Sequence, residues 1–273
     1  MPPIALTIAG SDPSGGAGIQ ADLKTFHQFG VYGEAVITLI TVQNTARVSR
    51  VETLPPDLVL EQLEAVLEDI PPAAAKTGAM GTPEMVEAVA RAAARFSFPL
   101  VVDPVMVSKH GLPLAPDSAL RAFRECLLPV AALVTPNIPE AEALTGLALR
   151  TVEDVRRAAV QIHGMGARAV LIKGGHMPGD ATDVLFDGDV WWEFPAPRIE
   201  TPHTHGSGCT YSAAIAAGLA RSLDLADAVA CAKAFVHEAI RTSPGLGHGC
   251  GPLNHHAPAA SGPAPAQDRI DTL

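Results

Sequence analysis

Residues 4–44 read IALTIAGSDPSGGAGIQADLKTFHQFGVYGEAVITLITVQN. At either end stands a short apolar run rich in β-branched residues, IALTIAG at 4–10 and VITLITVQN at 36–44, the composition of strands buried on both faces. Between them IQADLKTFHQFG predicts a helix closed by Gly30 as its C-cap. Strand, helix, strand is the repeat of a mostly parallel sheet covered by helices on both faces, and it runs through most of the chain. The expected fold is therefore a three-layer α/β architecture.

Further along, DLVLEQLEAVLEDI (57–70) sets Val59, Leu63, Val66, Leu67 and Ile70 at helical spacing, with Asp57 expected as N-cap. Thr82 and Pro83 open a helix running to about Phe96. Strands are predicted in AAAKTGAMG, PLVVDPV, AALVTPN and RAVLIKGGH. Two segments break the rhythm: VMVSKHGLPLAP after Asp103, and DATDVLFDGDVWWEFPAP, whose DGD between apolar residues predicts a β-hairpin. Both are expected beyond strand C-termini, where α/β sheets bind ligands. A single domain over residues 1–253 is expected, followed by a disordered Ala/Pro-rich tail at 254–273.

With 273 residues, 48% of them hydrophobic, the chain can bury a large core. Its formal charge of −10 and lack of a basic cluster argue against nucleic acid and anionic membrane as partners. The expected ligand is small. Cys126, Cys209, Cys231 and Cys250 stand far apart without zinc spacing, which suits a reducing compartment. There is no basic leader and no apolar stretch of membrane length, so the expected location is cytoplasmic.

Four stretches carry candidate chemistry. In AGSDPSGGAGIQAD (9–22), Gly16, Gly18 and Ala21 match G-x-G-x-x-A, but the inserted SDPSG displaces the match from the strand end that a dinucleotide fingerprint requires. A structural turn and a ligand-contacting loop both stay open there. In HGSGC, the backbone N–H groups of Gly206, Ser207, Gly208 and Cys209 are placed at a helix N-terminus, where an anion is stabilised. A close-packed helix start is the alternative. A cysteine in that position is also where a thiolate pKa falls. In TPNIPEAEAL, Asn137 and Glu140 are either a capping box or oxygen ligands for Mg²⁺ through water. Lys173, at the end of a strand in IKGGH, is either solvated or reaches a phosphate.

Taken in order, ALTIAGSDPSGGAGIQADLKTF, TVQNT, KTGAMG, VVDPVM, LVTPNIPEAEALTG, IKGGH, THGSGCT and GPLNHH make the chain resemble the ribokinase-like small-molecule kinases. Within them it most resembles the hydroxymethylpyrimidine/phosphomethylpyrimidine kinases of thiamine biosynthesis. The resemblance implies transfer of the ATP γ-phosphoryl to 4-amino-5-hydroxymethyl-2-methylpyrimidine and then to its monophosphate. It implies the pyrimidine over Gly10, with Asp22 and Gln43 on its polar edge and Val105 in apolar contact. On the nucleotide side it implies Lys173, Thr204, Asn137 and Gly208 near the phosphates. Glu140 and Asn137 are then near hydrated Mg²⁺, and Gly206, Ser207, Gly208 and Cys209 are the catalytic anion hole. Similar proteins are commonly dimers, so a homodimer is expected.

Most ribokinase-like sugar kinases place an aspartate base where this chain has Cys209. Ala79 stands where relatives often carry methionine, which implies a wider pyrimidine pocket. The related pyridoxal kinase branch carries a second cysteine in its lid, and VSKHGLPL (107–114) has none. Pyridoxal kinase is nevertheless the nearest competing activity. A non-catalytic pyrimidine-binding protein would not need Lys173 or Glu140, and a nucleotide-dependent oxidoreductase rests only on the displaced glycine pattern.

Overall fold

The computed structural model describes residues 1–106, 117–177, 179–259 and 269–270. Of the segment expected to interrupt the chain after Asp103, residues 107–116 lie outside them, as do residues 260–268 and 271–273 of the tail. Ten strands form one sheet: β1 Ile4–Ser11, β2 Tyr32–Asn44, β3 Arg47–Thr53, β4 Ala74–Thr77, β5 Leu100–Val102, β6 Leu133–Val134, β7 Val170–Ile172, β8 Asp183–Phe186, β9 Trp191–Phe194 and β10 Arg269–Ile270. Their order is β10-β9-β8-β7-β6-β5-β4-β1-β2-β3. From β2 to β7 neighbouring strands run parallel, while β3, β8, β9 and β10 extend the two ends antiparallel.

The helices are α1 Gly18–Gln28, α2 Pro56–Asp69, α3 Pro83–Ala93, α4 Asp117–Ala122, α5 Ile138–Thr145, α6 Val152–His163, α7 Ser207–Ala220 and α8 Leu225–Arg241. Alternation along the strands divides the core in two. Leu6, Ile8, Leu100 and Val102 face α2, α3, α5 and α6, whereas Ala5, Val101, Leu133 and Leu171 face α1, α7 and α8. This is the expected three-layer sandwich, and among the described residues no helix is long and apolar enough to cross a membrane.

One local expectation is corrected, and two features go beyond the sequence reading. Asp57 does not cap α2; Pro55 holds the N-cap position, and the Asp57 side chain accepts from Leu58 N inside the first turn. Pro56 starts the helix one residue earlier because its fixed φ suits a first helical position. The antiparallel strand β3 went unanticipated, since RVSRVET alternates without a buried apolar face. Past the boundary expected after residue 253, Asn254 N donates to Ala239 O, Gln28 Nε2 donates to Ala257 O, and Ala257 is buried beside Leu253. Hydrogen bonding to α1 and α8 orders a stretch whose composition reads as a tail. The DGD hairpin forms as expected, joining β8 to β9.

One buried group in this frame titrates near neutrality. Glu34 on β2 is 9% exposed, and its Oε2 finds no hydrogen-bond partner among the described residues. Burial, with the Asp69 carboxylate adding to it, pushes Glu34 up to about 7 from 4.5. The folded state thus holds the proton more tightly than the unfolded chain, so stability is lost as pH rises from 4.5 through about 7. Glu34→Gln is expected to melt a few degrees above wild type at pH 8, the gain shrinking as pH falls to about 5. Thermal melts across that range test it, and a pH-independent difference would exclude Glu34 as the titrating group.

Candidate active site

The C-terminal ends of β1, β4, β5, β6 and β7 border a cavity of about 520 Å³, a size suited to a small molecule. Gly206, Ser207, Gly208 and Cys209, at the start of α7, line one side of it. N–H groups in a helix's first turn have no intrahelical acceptor, so an anion can take their place. Ser207 N turns back to Thr204 O at 3.3 Å, engaging one of the expected donors locally.

Backbone contact with the β1–α1 loop fixes this turn. Gly206 has a φ of 80°, and a Cβ there would lie 1.8 Å from Gly16 O. Gly18, with a φ of 56°, would place a Cβ 2.2 Å from Gly10 O. Only glycine admits both the left-handed backbone and the approach. The Asp12 carboxylate stitches the loop by accepting from Ser14 N, Gly16 N and Ala17 N, and it bonds His205 Nε2 at 3.0 Å. Burial alone would raise Asp12, but the bonds from His205 and Ser14 outweigh it and hold the carboxyl at about 2.

Cys209 departs from expectation. Burial pushes its thiol up to about 11, and the nearby Lys76 ammonium and the Gly18 N–H offset only part of that. Desolvation of the sulfur wins over the helix terminus, so the group is a neutral thiol at pH 7 rather than a thiolate.

Beside the turn, Lys173 Nζ lies 2.9 Å from Asp103 Oδ1. Asp103 also accepts from Thr135 Oγ1 and Ser212 Oγ. Burial opposes the Lys173 charge, but the Asp103 and Glu140 carboxylates hold it above the usual ammonium value. Lys173 is therefore charged and not simply solvated. Asn137 and Glu140 form the capping box of α5, through Glu140 N to Asn137 Oδ1 at 2.9 Å and Asn137 N to Glu140 Oε2 at 2.8 Å. Both also line the cavity. Burial raises Glu140 to about 7 despite Lys173, with Asp103 adding to the rise. Among the described residues no group of three or more His, Cys, Asp or Glu side chains could hold a metal ion. A cation here would need ligands from a bound phosphate and water, the mode usual for Mg²⁺. The capping box uses only Oε2 of Glu140, which is compatible with that mode.

Gly10, Gln43, Val105 and Ala79 line the remaining wall. Asp22 does not. It is fully buried beneath the cavity, where its carboxylate accepts from Thr7 Oγ1 at 2.6 Å and pairs with Lys76 Nζ at 3.0 Å. A buried carboxylate claims the nearest donors, and β1 and β4 supply them before any ligand could. Asp103, Asp12, His205 and Lys76 were not anticipated. A lysine inside the apolar run AAAKTG was the available signal, because a strand buried on both faces admits a cation only with a partner.

A second cavity of about 270 Å³ adjoins the first and shares Asn137, Lys173, His176, Thr204, Ser207 and Gly208 with it. Its other walls include Ala196, Pro197, Val236 and Ile240. Asp183 accepts from Gly174 N, Tyr211 Oη and Lys233 Nζ at its base.

Phosphoryl transfer requires two small-molecule sites that meet at a cradle for charged oxygens, and the two cavities meet in that way at α7. The chain is accordingly a small-molecule kinase of the ribokinase-like class. It belongs to the phosphomethylpyrimidine kinase family, whose sequence profile matches residues 12–254. The hydroxymethylpyrimidine/phosphomethylpyrimidine kinase of Bacillus subtilis is 46% identical over 93% of this chain and 94% of its own. That of Rhizobium meliloti is 50% identical, over 93% and 97%. Among solved structures, the Bacillus subtilis pyridoxal kinase bound to ADP superposes with a TM-score of 0.88 at 40% identity, covering 94% of this chain and 98% of that one.

Proposed function

We propose that the aminopyrimidine occupies the first cavity and ATP the second, with its phosphates reaching the α7 turn. The enzyme phosphorylates 4-amino-5-hydroxymethyl-2-methylpyrimidine, then the resulting monophosphate to the pyrophosphate, as thiamine biosynthesis requires. In each step the acceptor oxygen bonds the γ-phosphorus, the bond to the ADP oxygen breaks, and ADP leaves; in the first step the O–H bond of the alcohol also breaks and its proton passes to water. The observation that carries this reading is the meeting of the two cavities at the α7 turn, where Cys209 presents a half-buried thiol. At that position a dianionic phosphate acceptor meets a thiol in place of a carboxylate, and the Asp103 carboxylate beside Gly208 is paired with Lys173.

In this reading Gly10 presents a flat backbone surface to the ring, Gln43 pairs with its amino and ring-nitrogen edge, and Val105 packs against it. Lys173, Thr204 and the Gly208 N–H hold transferring phosphate oxygens, which is positioning and charge stabilisation rather than covalent chemistry. Mg²⁺ bound with the nucleotide would neutralise phosphate charge, with Glu140 and Asn137 its water-mediated contacts. Gly206 and Ser207 complete the turn. Among the described residues none of the four cysteines forms a disulfide, in keeping with a cytoplasmic location. Ile40 and Val42 stand exposed on β2, the strand that carries Gln43, and support a homodimer formed across that face.

Purified protein incubated with Mg-ATP and, separately, the hydroxymethylpyrimidine, its monophosphate or pyridoxal is expected to release ADP with the first two. Turnover with pyridoxal alone would establish the competing kinase, and no turnover with any of them would indicate a binding protein. Ala79 lies beside Gly10, and Ala79→Met fills the wall next to the ring. This change is expected to lower kcat/KM for the bulkier pyridoxal about tenfold relative to the pyrimidine, the scale of one misfitting group in a pocket. Equal effects on both would mean that the side chain does not border the ring.

A further inference from the structure

Asp22 and Lys76 are both fully buried, an arrangement that costs stability unless each charge has a partner. Asp22 has two. Thr7 donates to Oδ2 at 2.6 Å, and Lys76 Nζ lies 3.1 Å and 3.0 Å from the two carboxylate oxygens. Burial works against the Lys76 ammonium, but the Asp22 and Asp103 carboxylates hold it above its usual value. Its position shows which way the pair points. Asp22 lies on α1 and takes up one side of the ammonium, while the other side comes up under the cavity wall. A Cβ built on Gly78, which lines the cavity, would stand 3.4 Å from Nζ.

We propose that Lys76 is a specificity-determining charge for the second phosphorylation, favouring the phosphate monoester over the neutral alcohol as acceptor without touching either. The inference rests on the two-step reading above. The hydroxymethyl group brings no charge to the cradle, whereas the monophosphate brings nearly two negative charges at pH 7. A buried ammonium behind Gly78 and Cys209 therefore acts on one acceptor and not on the other. Asp22 keeps the lysine protonated in its buried position and at the same time moderates its field.

The test compares KM and kcat for the two acceptors in two variants. Lys76→Met with Asp22→Asn removes both charges and leaves no lone buried ion. It is expected to raise KM for the monophosphate about tenfold more than KM for the alcohol, since the paired Asp22 cancels most of the attraction that a lone unit charge would exert at a few ångströms. Asp22→Asn alone leaves the lysine and removes its countercharge, so KM for the monophosphate is expected to fall relative to that for the alcohol. A purely structural pair would change both acceptors by the same factor, and an unchanged ratio in either variant overturns the proposal. If the double variant does not fold, the direction of the ratio in Asp22→Asn decides. Failure of the wild type to use the monophosphate at all would overturn the two-step reading instead, before any variant is compared.

Discussion

Cys209→Asp is expected to slow phosphorylation of the monophosphate about a thousandfold while changing that of the alcohol about tenfold at most. Two unit charges about 4 Å apart at an effective dielectric near 20 cost about 4 kcal/mol, which is about three powers of ten in rate. The monoester, largely ionised at pH 7, would meet that repulsion and gain little from a base, since it has hardly a proton to lose. The alcohol carries no charge, and a carboxylate can take its proton. The introduced side chain can accept the Gly18 N–H that Cys209 accepts now, so the turn has no reason to move. Single-turnover rates should be compared at about pH 8.5. That lies above the value of about 7 to which burial raises Glu34 and Glu140 in this protein, so the new carboxyl would be ionised. If the variant phosphorylates the monophosphate as fast as wild type, repulsion is not what the thiol avoids.

A protein of charge −10 that handles phosphates must attract them locally. In the reading proposed above the means are a helix start at α7, Lys173 at the end of β7 and Lys76 beneath the wall, with each lysine close to a carboxylate that fixes it. Asp103 holds Lys173 at 2.9 Å, and Asp22 holds Lys76 at 3.0 Å. Such pairs orient a cation while leaving the acidic surface unchanged.

The sheet was legible because its strands are buried on both faces and therefore appear as unbroken apolar runs. IALTIAG, PLVVDPV and RAVLIKGGH needed no further context to be placed. The strand β3 has no such run, and tertiary pairing with β2 forms it. Within the site, Gly206 through Cys209 could be placed at a helix start from small residues followed by an alanine-rich run. The partner of Asp22 could not be read from the sequence. Helical spacing puts Asp22 on the buried side of α1 but does not say whether a ligand or a lysine from β4 waits there. Asn137 and Glu140 show the converse, since the capping box and the cavity lining proved compatible. Cys209 shows a limit of another kind: a helix terminus lowers a thiol pKa, burial raises it, and only packed coordinates give their balance.

Gly206→Ala is expected to impair both phosphorylations by the same factor, about a hundredfold or more, because loss of one aligned oxyanion donor costs that much. The added methyl would sit 1.8 Å from Gly16 O, and the backbone φ of 80° is itself strained for alanine. Neither partner can yield easily. Gly16 belongs to a loop whose N–H groups at residues 16 and 17 are held by Asp12, and Asp12 is bonded in turn to His205, the residue before Gly206. Relief of the clash must therefore shift the start of α7 away from the β1–α1 loop, carrying the N–H groups of Gly208 and Cys209 out of register with the transferring phosphoryl group. No charge changes, so the ratio of the two steps should stay at its wild-type value while kcat falls for both. That separates this variant from Cys209→Asp, in which the ratio moves. Melting temperature should fall as well, by the strain of one non-glycine residue in left-handed backbone. Wild-type kcat in a folded Gly206→Ala protein would show that the contact with Gly16 does not set the cradle.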